Sequence, residues 1–138
     1  MGAAGGAMGT RFIATQENSW HPNYKRRIVQ ASEWSDVILP GVYGSLRALD
    51  NKAVGELDEL IGSGHLDEDE LTEKDRRMVA AQKEGDVEGG LLPAGQCAAP
   101  VDDIASVAEL VPALFEEAVA LLRRALDGSP SSLREASL

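Results

Sequence analysis

A run of small residues close to the amino terminus constrains the fold more than any other feature of this sequence. Residues 2–7 are glycine and alanine, and residues 8–11 (Met-Gly-Thr-Arg) then lead to the apolar pair Phe12 and Ile13. Because small residues allow close backbone approach, this pattern predicts a tightly packed, buried strand end at Phe12 and Ile13, with a turn beside it. The turn could offer N–H groups and a hydroxyl to an anion, but a tight turn without a ligand has the same pattern.

Longer segments resemble the nitronate monooxygenase family, formerly called 2-nitropropane dioxygenase. Residues 5–17 (GGAMGTRFIATQE) and residues 21–25 (HPNYK) are similar to its last barrel strand and the segment that follows. Residues 46–52 (LRALDNK) and the Ala-Gly-Gln turn at residues 94–96, with the helical pattern after it, occur in the same order as in the family. The resemblance covers most of the chain and departs from the family at Gly6, where valine is usual.

This resemblance implies an α/β fold, the FMN-binding (β/α)8 barrel. The chain would supply the last strand and the closing helices of that barrel, and it would be mostly helical. Such a barrel needs about 250 residues, whereas the chain has 138. We therefore expect the carboxyl-terminal portion of a longer enzyme. Residues 1–128 would belong to the barrel domain, with an acidic, exposed helical segment over residues 62–90, and residues 129–138 would form a disordered tail.

The resemblance also implies a function. The family binds FMN noncovalently and oxidises alkyl nitronates with molecular oxygen. Met8, Gly9 and Thr10 match the part of the flavin phosphate site that follows the last strand, and Gln96 matches a residue near the flavin in relatives. The catalytic histidine of the family lies upstream of anything in this chain and is not His21, so no catalytic residue is assigned and the chain alone is expected to be inactive.

Two other functions remain open at this stage. FMN-dependent enoyl-acyl-carrier-protein reductases look similar across the same segment, and the residues that separate the two reactions lie upstream of it. A non-catalytic fragment or interaction module is the third hypothesis. The sequence sets neither the oligomeric state nor the substrate.

Charge and cysteine content narrow the choice of partners and compartment. Thirteen Lys and Arg against 23 Asp and Glu give a formal net charge of −10, which repels nucleic acid and anionic membranes, so neither is expected as a partner. No apolar run reaches the length of a membrane span, and the first residues lack the pattern of a signal peptide. The single cysteine, Cys97, permits no internal disulfide, and we expect a cytoplasmic protein.

No metal site is predicted. His21 and His65 stand in polar segments without a partner at metal-ligand spacing, and the acidic residues 67–75 lack the pattern of a calcium-binding loop. Cys97 is interpreted as a small buried residue rather than a nucleophile. Arg47 is a candidate partner for a phosphate or an acid, with a surface ion pair to Asp50 as the simpler interpretation.

Apolar spacing and capping signals predict the elements. They indicate helices over residues 22–31, 46–61 (interrupted near Gly55), 68–83 and 106–126, and a short strand over residues 35–39. The basic triplet at residues 25–27 is expected to form a solvated face. The last helix carries a continuous apolar stripe and a capping box at Ser106 and Glu109.

Overall fold

The computed structural model of the chain describes residues 5–40, 44–63 and 68–127, with side chains described outside residues 68–71. The chain divides into two units, Met1–Ile104 and Ala105–Leu138. The elements in chain order are α1 Thr10–Ile13, α2 Pro22–Val29, β1 Asp36–Leu39, β2 Leu46–Leu49, α3 Lys52–Gly62, α4 Glu68–Val79, a π-helical turn Ala80–Glu84, a 3-10 turn Gln96–Ala98 and α5 Val107–Leu126.

The amino-terminal segment is not a strand, so the predicted strand end at Phe12 and Ile13 is wrong. The Gly9 carbonyl accepts hydrogen bonds from the N–H groups of Phe12 (3.0 Å) and Ile13 (3.3 Å), which closes the helical turn α1. A parallel barrel strand needs hydrogen-bonded neighbours. Within the described ranges no strand pairs with residues 5–13, and the backbone satisfies its carbonyl locally instead.

Helix α2 confirms the prediction for this segment. Pro22 occupies its first turn, where the missing N–H would have no helical partner. His21 caps the helix, because its Nδ1 accepts the backbone N–H of Asn23 at 3.1 Å. Tyr24 and Ile28 then recur one helical turn apart and are fully buried.

Strands β1 and β2 pair antiparallel, with Asp36 opposite Leu49 and Leu39 opposite Leu46. The strand predicted over residues 35–39 is confirmed, whereas the helix predicted to begin at Leu46 is wrong over β2. Apolar residues three apart fit either element in so short a run, and pairing with β1 decides the outcome. Residues 91–94 extend the sheet on its other side, since Leu49 N–H donates to the Leu92 carbonyl at 2.9 Å.

Helix α3 begins at Asn51, whose side chain accepts the N–H of Val54, and it continues through Gly55 without the expected interruption. Helix α4 and the π-helical turn confirm the helix predicted over residues 68–83. One face of that segment is packed rather than solvated, because Lys74 and Ala81 are buried. The turn ends at Gly85, which has φ 73.

The core of the first unit consists of two apolar clusters. One cluster joins α2 to the loops around residues 91–101, and its buried members are Ala14, Tyr24, Ile28, Leu49, Ala81, Leu92, Ala94, Ala98 and Val101. The other joins the sheet to α3, and its buried members are Leu39, Ala48, Val54, Leu57 and Leu91. These clusters fix the position of residues 91–95, which border the candidate site.

The second unit consists of α5 in its described part. The predicted capping box is confirmed, because the Ser106 side chain accepts the Glu109 N–H and the Glu109 carboxylate accepts the Ser106 N–H. The helix continues through Pro112, and Phe115 and Leu122 of its apolar stripe are exposed. No described helix is long and apolar enough to cross a membrane. The predictions for residues 129–138 and for His65 concern residues outside the described ranges.

Candidate functional site

Thr10 joins two segments that the sequence analysis predicted to lie near the same ligand. Its Oγ1 accepts the backbone N–H of Gly95 at 3.1 Å, across 85 residues of sequence. Thr10 is buried at the start of α1, and Gly95 precedes the 3-10 turn. The Met-Gly-Thr turn and the Ala-Gly-Gln turn are therefore in direct contact.

Residues 93–95 are held by two further hydrogen bonds. The Tyr24 hydroxyl donates to the Pro93 carbonyl at 2.8 Å, and the Ala94 N–H donates to the Arg47 carbonyl at 3.1 Å. Burial raises the pKa of Tyr24 well above its ordinary value, so the hydroxyl stays protonated and remains a donor. The border of the site is thus positioned by α2 and β2 as well as by Thr10.

These segments enclose an open pocket of about 400 Å³, which we call the Thr10 pocket. Its lining residues are Gly9, Thr10, Ile13, Trp20, Arg47, Pro93, Ala94 and Gly95. Gly9 has φ −107, which any residue can adopt, and a Cβ atom there would meet nothing within 4 Å. Glycine at this position therefore leaves open space beside the turn rather than satisfying a backbone requirement.

The turn carries donors that suit a phosphate group. The first N–H groups of a helix lack intrahelical acceptors, and those of Thr10 and Arg11 have no acceptor in the part of the chain that the structure describes. Thr10 Oγ1 accepts from Gly95, so its own proton is free to be donated to a ligand. Two of these three donors, the N–H and the hydroxyl of Thr10, belong to a residue that lines the open pocket, and donors of this kind can hold a phosphate group.

Two arginines flank the turn, and they are engaged differently. Arg11 donates to the Asp103 carboxylate at 2.5 Å, to the Asp103 carbonyl and to the Ala14 carbonyl, which ties α1 to the end of the first unit. Within the described ranges the Arg47 side chain makes one bond, to the Asp36 carboxylate at 2.5 Å. The predicted ion pair of Arg47 with Asp50 is wrong, because the antiparallel register of β1 and β2 brings Asp36 within reach instead.

Comparison with known proteins places the chain in a family. The sequence profile described as nitronate monooxygenase matches residues 1–117. The chain belongs to the nitronate monooxygenase family. The solved structure of FabK from Thermotoga maritima is similar, with 30% identity and a TM-score of 0.72, and the match covers 84% of this chain and 38% of that chain. The FabK M276A mutant from Thermotoga maritima matches at 31% identity and a TM-score of 0.65, covering 84% of this chain and 35% of that chain.

Family membership confirms the resemblance and gives the fold class, a (β/α)8 barrel. The chain spans less than two fifths of the length of the FabK structures that it matches. Its described residues form helices and one two-stranded antiparallel sheet, and they do not include a closed barrel sheet. The family match over residues 1–117 includes every residue that lines the Thr10 pocket.

The four predicted cofactor-binding residues are not all in one place. Gly9 and Thr10 line the Thr10 pocket. Gln96 is exposed and lines a second cavity of about 610 Å³, together with Ser32, Glu33, Trp34, Ala99 and Pro100. Met8 is half exposed and lines neither of these two cavities. The Ala-Gly-Gln turn therefore separates the cavities, with Gly95 on one side and Gln96 on the other.

Lys25 was missed by the sequence reasoning, which expected a solvated basic face. The residue is buried, and its Nζ donates to the carbonyls of Thr15 (2.6 Å) and Gln16 (3.4 Å). It fixes the chain between α1 and α2 directly beyond the Thr10 turn. Arg26 is exposed as expected. The signal that could have identified Lys25 is its place in the HPNYK segment of the family resemblance.

His21 and Cys97 have structural rather than catalytic surroundings among the described residues. His21 caps α2, and its ring fills the space at Gly85, where a Cβ atom would lie 2.1 Å from Nδ1. Cys97 is exposed, contrary to the expectation of a small buried residue, because its 3-10 turn lies on the surface. Among the described residues no cluster of His, Cys, Asp or Glu could hold a metal ion.

Proposed function

We propose that this chain supplies part of the FMN site of an oxidoreductase that oxidises alkyl nitronates with molecular oxygen. The observation that carries the proposal is the contact between Thr10 and Gly95 at the edge of an open pocket. Two turns from distant parts of the sequence, both matching the family's flavin segments, border the same space. Family membership over residues 1–117 supports an oxidoreductase of this type.

In this proposal the chain holds the cofactor and does not touch the reacting atoms. The Thr10 hydroxyl and the N–H groups of Thr10 and Arg11 donate to the FMN phosphate, and Gly9 leaves room for it. Bound FMN supplies the electron transfer between substrate and oxygen. Gln96 opens to the neighbouring cavity and would lie near the remainder of the cofactor.

A second candidate function is an FMN-dependent enoyl-acyl-carrier-protein reductase. The structural likeness to FabK from Thermotoga maritima, with a TM-score of 0.72, supports it to the same degree as the family profile supports nitronate oxidation. The geometry of the Thr10 pocket fits both, since both reactions need FMN in the same place. A non-catalytic interaction module is the third possibility, and it requires no flavin.

The experiment that tests the proposed function is an activity measurement on an intact barrel enzyme that carries this segment. Oxygen consumption with propan-2-nitronate is compared with the oxidation of a reduced nicotinamide in the presence of a 2-enoyl thioester, both at saturating FMN. We expect nitronate-dependent oxygen consumption. Thioester reduction without oxygen consumption would support the second candidate, and failure to retain flavin would contradict both.

A further inference from the structure

We propose that Arg47 is an oxyanion-binding residue of the Thr10 pocket and that Asp36 is its positioning residue. The inference rests on the proposed function only in treating the Thr10 pocket as a ligand site. It adds a charged side chain, from a strand far from the Met-Gly-Thr turn in sequence, to a site otherwise made of backbone donors and one hydroxyl. Arg47 was named from the sequence as a candidate partner for a phosphate or an acid, and the structure adds its place among the residues that line the pocket.

The backbone places Arg47 at the pocket. It lies on β2, and its carbonyl accepts the N–H of Ala94, so the strand runs directly beside residues 93–95. The same residues border the Thr10 pocket through the bond from Gly95 to Thr10. Arg47 and Thr10 are thus connected through residues 94 and 95, and both line the pocket.

The ion pair with Asp36 is unlike an ordinary surface pair. The Asp36 side chain is 6% exposed, whereas the Arg47 side chain is 39% exposed. A buried carboxylate therefore holds the guanidinium of a partly exposed arginine, and that arginine is one of the residues that line the Thr10 pocket. Because Arg47 is anchored before any ligand arrives, less side-chain freedom is lost on binding.

The guanidinium keeps unused donors. It has five N–H groups in a planar fork, and its only side-chain bond within the described part of the chain is the one from Nη1 to Asp36. An oxyanion can accept two parallel hydrogen bonds from such a fork. Arg11, the other arginine at this turn, already bonds to Asp103 and Ala14, so it is the poorer candidate.

The charge of the pocket points to the class of ligand. Among its described lining residues Arg47 alone is charged, and Ile13, Trp20 and Pro93 give the walls an apolar character. In a chain with a formal net charge of −10, a single cation among apolar walls selects for an anion. The oxyanion is either the phosphate of the cofactor or the negatively charged group of the substrate, and the experiment separates these sources.

The test uses the 138-residue chain labelled with ¹⁵N. It is titrated separately with inorganic phosphate, FMN, riboflavin and propan-2-nitronate, while the amide signals of Thr10, Arg47 and Gly95 are followed. We expect saturable shifts of these amides with at least one oxyanion. Arg47→Gln should raise the dissociation constant of that oxyanion roughly tenfold, the scale of one hydrogen bond to a charged group.

Three variants control for charge and folding. Arg26→Gln removes the same charge from an exposed residue that bonds to Asn23 and does not line the pocket, so affinity should be unchanged. Arg47→Lys keeps the charge without the planar fork and should bind with intermediate affinity. Asp36→Asn removes the carboxylate that fixes the guanidinium and should weaken binding less than Arg47→Gln. If Arg47→Gln does not fold, the oxyanion affinities of Arg47→Lys and Arg26→Gln are compared instead. A lower affinity in Arg47→Lys alone supports the proposal, and equal affinities contradict it.

The outcomes show whether the oxyanion comes from the cofactor or from the substrate, and they separate the proposal for Arg47 from the proposed function. Arg47-dependent binding of phosphate and FMN, but not of riboflavin or nitronate, assigns the cofactor phosphate, whereas Arg47-dependent binding of nitronate alone assigns the substrate. Arg47-dependent binding of phosphate by this chain supports this inference whatever the flavin result, whereas the proposed function is contradicted only when an intact barrel enzyme carrying this segment retains no flavin. Three results would overturn the proposal for Arg47. They are an oxyanion affinity of Arg47→Gln equal to that of the parent, an equal loss of affinity in Arg26→Gln, and no shift of these amide signals with any oxyanion.

Discussion

At the scale of single residues, the Thr10 turn combines a buried hydroxyl with an adjacent glycine that has open space beside it. Thr10 needs its hydroxyl for the contact with Gly95, and Gly9 has no steric or backbone reason to be glycine. When neither the backbone conformation nor a neighbouring atom requires a glycine, a ligand that approaches the position can explain it. In the proposed function, a phosphate group beside Gly9 gives that explanation.

We predict that Gly9→Val weakens FMN binding strongly in an intact barrel enzyme carrying this segment and changes its thermal stability little. The added side chain would enter the open space of the Thr10 pocket, and the φ of −107 accommodates valine. The measurement is the FMN dissociation constant together with the melting temperature of the apoprotein. Gly6→Val is the matched control, since a Cβ atom there also meets nothing within 4 Å and the family usually has valine.

A second prediction at this scale concerns Lys25. Lys25→Met keeps the length of the side chain and removes the bonds to the Thr15 and Gln16 carbonyls, so the free energy of unfolding should fall by about 1–3 kcal/mol. Urea denaturation of the variant against the parent measures it. Arg26→Met, on the exposed face of the same helix, should change the unfolding midpoint by much less, and an equal change in both variants would refute the role of Lys25.

At the scale of elements, capping residues proved more informative than apolar spacing. His21-Pro22, Asn51 and Ser106 with Glu109 mark the starts of α2, α3 and α5, because each supplies an acceptor for a free N–H or removes one. The capping signals at Pro22 and at Ser106 with Glu109 were recognised in the sequence, and α2 and α5 were predicted there. The Asn51 cap was not recognised, and the helix was placed from Leu46 instead.

Short apolar segments could not be assigned in the same way. Leu46 and Leu49 fit a helix or a strand, and β1 decides in favour of a strand. Phe12 and Ile13 fit a buried strand, but their N–H groups donate to the Gly9 carbonyl and form a helical turn. In both cases the choice depends on hydrogen-bond partners distant in sequence or absent from the described residues, which no local pattern reports.

Helices α3 and α4 are joined by an ion-pair network with a defined dependence on pH. Arg77 bonds to Glu73 on its own helix and to Glu56 on α3. Hydrogen bonds from Arg76 and Arg77 lower the pKa of Glu73 to about 2, and a hydrogen bond from Arg77 also lowers the pKa of Glu56. Because these pKa values are lowered on folding, the network stabilises the protein above the ordinary carboxyl pKa and weakens as Glu73 is protonated.

We therefore predict that the parent loses stability between about pH 4.5 and pH 2 through this network. Glu73→Gln should be less stable than the parent at pH 7 and should lose less stability over that range. The contribution is screened by solvent and salt, so both effects should shrink in 1 M NaCl. Parallel urea denaturation curves at pH 7, 4 and 2 measure them. Identical pH dependence of the parent and variant would show that Glu73 does not contribute to stability through this network.

At the scale of the whole molecule, the candidate site depends on contacts that are long in sequence. The Thr10 turn was predicted from its match to the family, as was the participation of the Ala-Gly-Gln turn. Their direct contact, the separation of Gly95 from Gln96 by the two cavities, and the pairing of Arg47 with Asp36 were not predictable. These features arise from the way two apolar clusters position residues 91–95, and a linear pattern does not encode that position.

This chain supplies one part of the proposed cofactor site. Its described residues border an open pocket of about 400 Å³, and contacts from α2, β2 and the 3-10 turn position the edge of that pocket. Apart from Arg47, for which the nitronate is one of the two oxyanions to be tested, none of them is proposed to contact the reacting atoms. The affinity for FMN and the turnover of the bound flavin should therefore respond differently to changes at the Thr10 turn.

The central claim is that Thr10 holds the flavin phosphate, and the most direct test compares FMN with riboflavin in an intact barrel enzyme carrying this segment. Thr10→Ala should weaken FMN binding by about 1–3 kcal/mol, the range for hydrogen bonds to charged groups. It should leave riboflavin binding and turnover at saturating FMN close to the parent values. Thr10→Ser, which keeps the hydroxyl, should bind FMN as the parent does. Unchanged FMN affinity in Thr10→Ala together with a collapse in turnover would contradict the claim and place this turn in the chemistry instead.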